Sequence, residues 1–459
     1  MGARGGSVVG KGTGRWGGTE RIETQRRTTL ANPVTLRKTL LPMPTRAQAP
    51  AVPRLTYLRI KNYRALRDVE FRDLTPLTVL IGPNGSGKST VLDALDFLAE
   101  IMKGNLIQAW EKRNRFAGVR TRGSENDIIF EIIVRLSNRD IRYYVSIGGS
   151  EELVRITDEA LSVRVGETNL RIFYKKENPK RDKETRVVRH LNEYATDLSN
   201  KYQAATLDSF PYLFFQEKPQ AKKVSKLAAE LDDVANSLTG AVTSYRYIHL
   251  TDDHLKGYSD VGPREKLSPN GDNLPNVLYY LHTRHPETLA KITAQMRRWV
   301  PALADIVTEI TSDERLLLRF RDAPFEKPLP AQYMSDGTMR LAALLTLLYE
   351  PDATGLLAIE EPENELHPQL LAYLAEELIA AAEQRQLLIA THSPALLNAL
   401  EPAQVWVLHR GADGYTQATR TADLPGISAM VEEGTPLGYL WSRNFFDVGN
   451  PLDFPLPVQ

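Results

Sequence analysis

Nine consecutive residues, Gly82-Pro83-Asn84-Gly85-Ser86-Gly87-Lys88-Ser89-Thr90, carry the spacing that cradles a polyphosphate. Gly82, Gly87, Lys88 and Ser89 match the pattern G-x-x-x-x-G-K-[ST]. Glycines let successive backbone N–H groups turn inward onto phosphate oxygens. A helix starting at this point adds roughly half a positive charge. Lys88 is expected to reach the β- and γ-phosphates of a nucleotide triphosphate, and Ser89 to place its hydroxyl on Mg²⁺. A glycine-rich turn before a helix is the plainer reading of the same residues.

A second set of chemically capable residues lies about 270 residues further on. Residues 355–359 form a continuous apolar run, as a buried parallel strand should, and the run ends on Glu360 and Glu361. Ligands gather at strand C-termini in open α/β sheets. Glu360 is assigned to the metal, held through its waters, and Glu361 to orienting and deprotonating an attacking water. An exposed acidic turn would explain Glu363 and Glu365 close by, but not the apolar strand feeding it. Residues 387–390 read as another buried strand leading to Thr391-His392, where the imidazole can donate to a γ-phosphate or hold the water. Ser335-Asp336-Gly337-Thr338 precedes a helix over 339–349. Ser335 either caps that helix or helps aim the helix N-terminus at the γ-phosphate of a second subunit.

The elements needed to position these groups are legible. Residues 77–81 read as a buried strand before the loop and 91–98 as a helix after it. A helix over 369–384 joins the strand at 355–359 to the strand at 387–390. Residues 128–134, 142–147, 161–165 and 171–174 read as strands of an antiparallel sheet. Residues 220–300 read mainly helical, at 224–238, 273–282 and 286–299. Lys88 and Ser335 are separated by 246 residues. Residues 175–190, rich in Lys and Arg, are either a solvated hairpin tip or a contact to a nucleic-acid backbone. The pairs His249/His254 and His282/His285 lack further ligands to complete a metal set and read as structural.

Taken in order, these motifs make the chain resemble the ABC-type P-loop ATPases of the soluble RecF, SMC and OLD-like branch, including bacterial AAA-type proteins sharing S-D-G-T, E-E-P-E-x-x-L-H-P and T-H-S-P. The resemblance covers about residues 55–445. It implies an α/β fold: a P-loop NTPase head of ABC type with an antiparallel β lobe and an inserted helical lobe. In that likeness Gly82–Thr90 is Walker A, 333–338 the signature motif, 356–361 Walker B with its catalytic glutamate, 364–367 the D-loop and His392 the switch histidine. The resemblance also implies that Asn62 and Arg64, in an opening strand ending Asn-aromatic-Arg, lie near the nucleotide. Three departures stand out. Glu360 replaces the usual Asp, Asp336 replaces a signature glycine, and only Gln216 offers itself, poorly, as a Q-loop.

The expected organisation is a basic, disordered extension over 1–53, the N-terminal half of the head with its β lobe over 54–175, an inserted hairpin and helical lobe over 176–330, and the C-terminal half over 331–459. Residues 1–54 carry a net charge of +8 within a chain of formal charge zero. They read either as an extension ahead of a start at Met43 or as a basic tail touching nucleic acid. The chain has no cysteine, which excludes disulfides and thiol chemistry. Neither a signal-peptide core nor an apolar run near 18 residues is present, so a cytoplasmic protein with no membrane contact is expected. The cofactors implied are ATP and Mg²⁺. The implied assembly is an ATP-held homodimer, with a separate nuclease or effector and double-stranded DNA as candidate partners. Val407–Asp413 faintly resembles the start of a TOPRIM nuclease, but His409 stands where the metal-binding glutamate belongs. A transporter energy subunit is the alternative, disfavoured by the long insertion.

Overall fold

The computed structural model describes residues 52–137, 139–165, 168–174, 234–260 and 262–450. Its first sheet is antiparallel: β1 (Arg54–Tyr63), β2 (Leu66–Arg72), β4 (Ile128–Leu136), β5 (Arg139–Ser150), β6 (Leu153–Val165) and β7 (Thr168–Tyr174), in the order β2-β1-β4-β5-β6-β7. Alternation builds it, with Ile128, Phe130, Ile132 and Val134 buried between partly or fully exposed neighbours. Strand β2 escapes sequence reading because four of its seven residues are charged, leaving only Leu66, Val69 and Phe71 to face inward.

The second sheet carries the chemistry. Its strands are β3 (Leu77–Ile81), β8 (Arg246–Ile248), β13 (Leu356–Glu360), β14 (Gln386–Thr391), β15 (Val405–Arg410) and β16 (Thr416–Arg420), ordered β16-β15-β3-β14-β13-β8. All pairings are parallel except β15 with β16. Successive residues serve two cores. Leu77, Val79, Ile81, Leu357, Ile359, Leu387 and Ile389 pack on one face, and Leu80, Ala358, Leu388 and Ala390 on the other. Burial on both faces explains why these strands read as unbroken apolar runs. Strand β15 lies in this sheet beside β3, which accounts for the segment that faintly resembled a TOPRIM start.

Helix α1 (Lys88–Met102) follows β3. Helices α2 (Leu274–Arg284) and α3 (Pro286–Trp299) occupy the expected stretch of the insertion. They lead into a small sheet that the helical reading did not include: β9 (Ser259–Asp260), β10 (Leu303–Ile310), β11 (Arg315–Asp322) and β12 (Leu329–Pro330). Leu316, Leu318 and Phe320 alternate inward there. Helix α4 (Asp336–Leu348) starts three residues before the expected Met339, because Ser335 caps it and accepts from the Thr338 N–H at 3.2 Å. Helix α5 (Leu371–Ala381) connects β13 to β14. Gln216 and the basic stretch 175–190 lie outside the described residues, as does most of the extension 1–53.

Two polar ties lock the sheets. Gln386 accepts from the Leu55 N–H and donates back to the Leu55 carbonyl, both at 2.7 Å, joining β1 to β14. Glu350 receives Arg246 at 2.6 Å and Arg385 at 3.1 Å, and the Glu350 and Arg385 side chains are only 3% and 2% exposed. Removing one partner leaves an uncompensated buried charge. Glu350→Ala is therefore expected to lower stability by about 3–5 kcal/mol, read as a fall in the denaturant midpoint, whereas removing the exposed Arg72–Glu70 pair should leave that midpoint unmoved.

Candidate functional site

The phosphate loop leaves β3 and enters α1 through three glycines at positive φ: Gly82 (156°), Gly85 (73°) and Gly87 (107°). Two of these have walls against them. A Cβ on Gly82 would stand 2.0 Å from the Leu408 carbonyl oxygen, and one on Gly87 2.5 Å from Thr416 Oγ1. The β15–β16 hairpin thus presses on the loop from outside. Thr416 Oγ1 donates to the Ser86 carbonyl at 2.8 Å and Arg410 to the Gly85 carbonyl at 2.7 Å. Pro83 and Asn84 form the outer turn between Gly82 and Gly85, and Thr90 continues the first turn of α1. Lys88 folds its ammonium onto the carbonyls of Gly82 (2.8 Å) and Pro83 (3.1 Å). Burial pushes this ammonium down to about 8, against the opposing pull of Glu361, Glu360 and Glu363.

Parallel pairing brings the distant half to the same level. Ser89 donates directly to Glu360 Oε1 across a sequence separation of 271. A hydroxyl beside a carboxylate is an oxygen-only donor pair of the kind Mg²⁺ takes. The buried Ser86 hydroxyl has no protein partner, leaving it available to a ligand in the loop. The residues therefore fit a metal–triphosphate.

Glu361 adopts a left-handed backbone, φ 45°, directly after β13. Such strain in a non-glycine residue persists only where its surroundings hold it. Here the Glu361 N–H donates to the Ala390 carbonyl at 2.7 Å and Arg340 donates to the Glu361 carbonyl at 3.0 Å. The turn carries the carboxylate off the strand to Asn364, which donates at 2.7 Å, and to His392 Nε2 at 3.5 Å. Burial and then the Lys88 charge hold the His392 imidazole below its ordinary value despite the three glutamates.

Glu363, read from sequence only as part of an acidic turn, accepts from Thr391 Oγ1 (2.5 Å) and from the His392 N–H (2.9 Å). It ties the two strand ends together. Sequence reasoning also missed β8. His249, taken as structural, places Nδ1 3.3 Å from Glu360 Oε2, and the Tyr247 hydroxyl donates to the same oxygen. A three-residue strand offers too short an apolar period to be found by pattern.

The signature residues make local contacts. Ser335 Oγ pairs with Thr338 Oγ1 at 2.8 Å, and Asp336 with Lys256 at 2.5 Å. Gly337 packs so closely on the turn after β13 that a Cβ would stand 2.4 Å from the Glu365 carbonyl oxygen. Asn62 and Arg64, expected near the nucleotide, have partners in the segments between α1 and β4 and on α1 itself. Asn62 donates to the Asp127 carbonyl at 2.9 Å, while Arg64 donates to the Gly118 carbonyl at 3.0 Å and pairs with Asp93 on α1 at 2.9 Å. Among the described residues no group of three or more His, Cys, Asp or Glu is placed to hold a metal ion, and no helix is long and apolar enough to cross a membrane.

A protein family described as "AAA domain, putative AbiEii toxin, Type IV TA system" matches residues 77–398. The chain is 23% identical over 372 residues to an OLD nuclease of Thermus scotoductus, across 74% of this chain and 59% of that protein. It thus spans little more than half the length of that relative. It is 22% identical over 408 residues to the "Retron Ec83 probable ATPase" of Escherichia coli, across 78% of this chain and 72% of the relative. Among solved structures, an SMC head bound to the C-terminal winged-helix domain of ScpA aligns with 80% of this chain and 97% of its own, at 13% identity and a TM-score of 0.47.

A phosphate held by Lys88 would bind its ammonium form and raise its pKa, so the bound state would keep a proton that the free state loses above pH about 8. Affinity for ATP is expected to be level below that pH and to fall above it by at most about tenfold per pH unit. Calorimetry in buffers of different ionisation enthalpy should show proton uptake in that window, and Lys88→Gln should abolish it.

Proposed function

We propose, for a chain that belongs to the AAA-domain family matched over residues 77–398 and to the RecF, SMC and OLD-like branch of P-loop ATPases, that it hydrolyses ATP and uses the nucleotide to close a head-to-tail homodimer. The observation that carries this reading is the convergence of Ser89 on Glu360 and of His392 on Glu361 at one edge of the parallel sheet.

The loop N–H groups and Lys88 bind the phosphates, and the N-terminus of α1 adds its partial charge. Ser89 and Glu360 would hold Mg²⁺, which when bound would offset the charge on the phosphate oxygens. Glu361, with one oxygen fixed by Asn364, orients the attacking water and takes its proton. His392 donates a hydrogen bond at the γ-phosphate. Asn62 and Arg64 support the loop side of the site through α1 and the β lobe. Exposed Ser335 and half-buried Asp336 and Gly337, at the N-terminus of α4, meet the γ-phosphate held by the second chain. Nucleotide then favours the closed dimer because that state alone supplies the second set of donors.

We place this ATPase beside a separate nuclease or effector, in phage defence or DNA repair, with double-stranded DNA as a candidate trigger; of its relatives, one is named a nuclease and the other a retron ATPase. They give no support to a transporter energy subunit.

Glu361→Gln is expected to slow ATP turnover by about 10²–10⁴-fold while nucleotide binding persists, and to trap a dimer seen as a doubled mass by light scattering with ATP. Unchanged turnover would remove Glu361 as the base. A monomer saturated with ATP would sink the dimer switch. Turnover measured with and without double-stranded DNA separates a nucleic-acid trigger from a protein one.

A further inference from the structure

Glu360 has one methylene more than the aspartate expected at a metal position, hence one more torsion to fix. The structure fixes it from β8. Ile248 pairs in register with Ile359, and both face one core. Tyr247, His249 and Glu360 fall on the opposite face. The two carboxylate oxygens of Glu360 have separate duties. Oε1 meets Ser89, whereas Oε2 receives the Tyr247 hydroxyl and stands 3.3 Å from His249 Nδ1. Strand β8 is itself pinned, since Arg246 donates to both Glu350 oxygens at 2.8 and 2.6 Å and to the Leu267 carbonyl at 2.6 Å. The neighbouring Tyr245 donates to the Leu92 carbonyl of α1 at 2.8 Å.

We propose that Tyr247 and His249 are positioning residues for the metal carboxylate: they occupy Oε2 of Glu360 so that Oε1 alone faces Ser89 and a divalent cation. This rests on the metal–nucleotide reading above. Partners of this kind orient a ligating carboxylate and commonly change metal affinity by about 10–100-fold when removed. The reach of Glu360 is matched to the Tyr247 hydroxyl, so shortening it to aspartate should harm this site even though aspartate is an ordinary metal ligand.

The test is Mn²⁺ binding to the full-length protein saturated with a non-hydrolysable ATP analogue, followed by the electron paramagnetic resonance signal of free Mn²⁺. Binding of a fluorescent ATP analogue in chelator is measured alongside. Tyr247→Phe, alone and with His249→Ala, should weaken Mn²⁺ by about 10–100-fold and leave metal-free nucleotide binding unchanged. Glu360→Asp should lose a similar factor, and adding Tyr247→Phe to it should cost little more. Wild-type Mn²⁺ affinity in Tyr247→Phe, or a parallel fall in metal-free nucleotide binding, overturns the proposal while the proposed function stands. A wild-type protein whose nucleotide complex takes up no Mn²⁺ overturns both.

Discussion

A phosphate loop and a metal carboxylate 271 residues apart can share one cation only if the strands that carry them end at the same height. The parallel register β3–β14–β13 enforces this. Leu80 stands beside Ala390, Ala390 beside Glu360, and Ile81 beside Thr391. Side chains alternate along a strand, so a slip of one residue would send Glu360 into the core and Ile359 into the site. Side-chain size opposes that slip, since Leu357, Ile359, Leu387 and Ile389 fill one core while Ala358 and Ala390 face the other. The chemistry of the edge depends on the packing of the sheet.

From that edge the backbone must leave quickly. The left-handed turn at Glu361 lifts its carboxylate toward Asn364 and His392, and Glu363 then bonds back to Thr391 and His392. The strain is local and held from several sides, by Ala390 below and Arg340 beside it. Four acidic residues within six positions, Glu360 to Glu365, look like one solvated turn in the sequence. In space Glu360 meets Ser89 and Tyr247, Glu361 meets Asn364, and Glu363 meets Thr391.

Much of this was legible because it lies in long periodic segments. The strands at 77–81, 355–359 and 387–390, the loop and the strands of the β lobe follow from apolar runs and alternation. What stayed hidden depends on pairing partners far away in sequence. Strand β8 is three residues long, and its meaning comes from lying beside β13. Strand β2 is mostly charged and is recruited by β1. His249 looked like half of an incomplete metal pair with His254, but its neighbour is Glu360. Gly337, expected for its place in the signature, is also required sterically by the Glu365 carbonyl of its own chain.

The hairpin β15–β16 has a consequence for the order in which the protein is made. The loop near residue 85 is synthesised early, yet two of its walls are Leu408 and Thr416, and one of its carbonyls is held by Arg410. A nascent chain still on the ribosome has the glycines and the lysine but neither wall nor brace. The walls and the brace of the loop are complete only once the β15–β16 hairpin has emerged and added to β3. By then Glu361 and His392, which precede the hairpin in sequence, are already part of the chain.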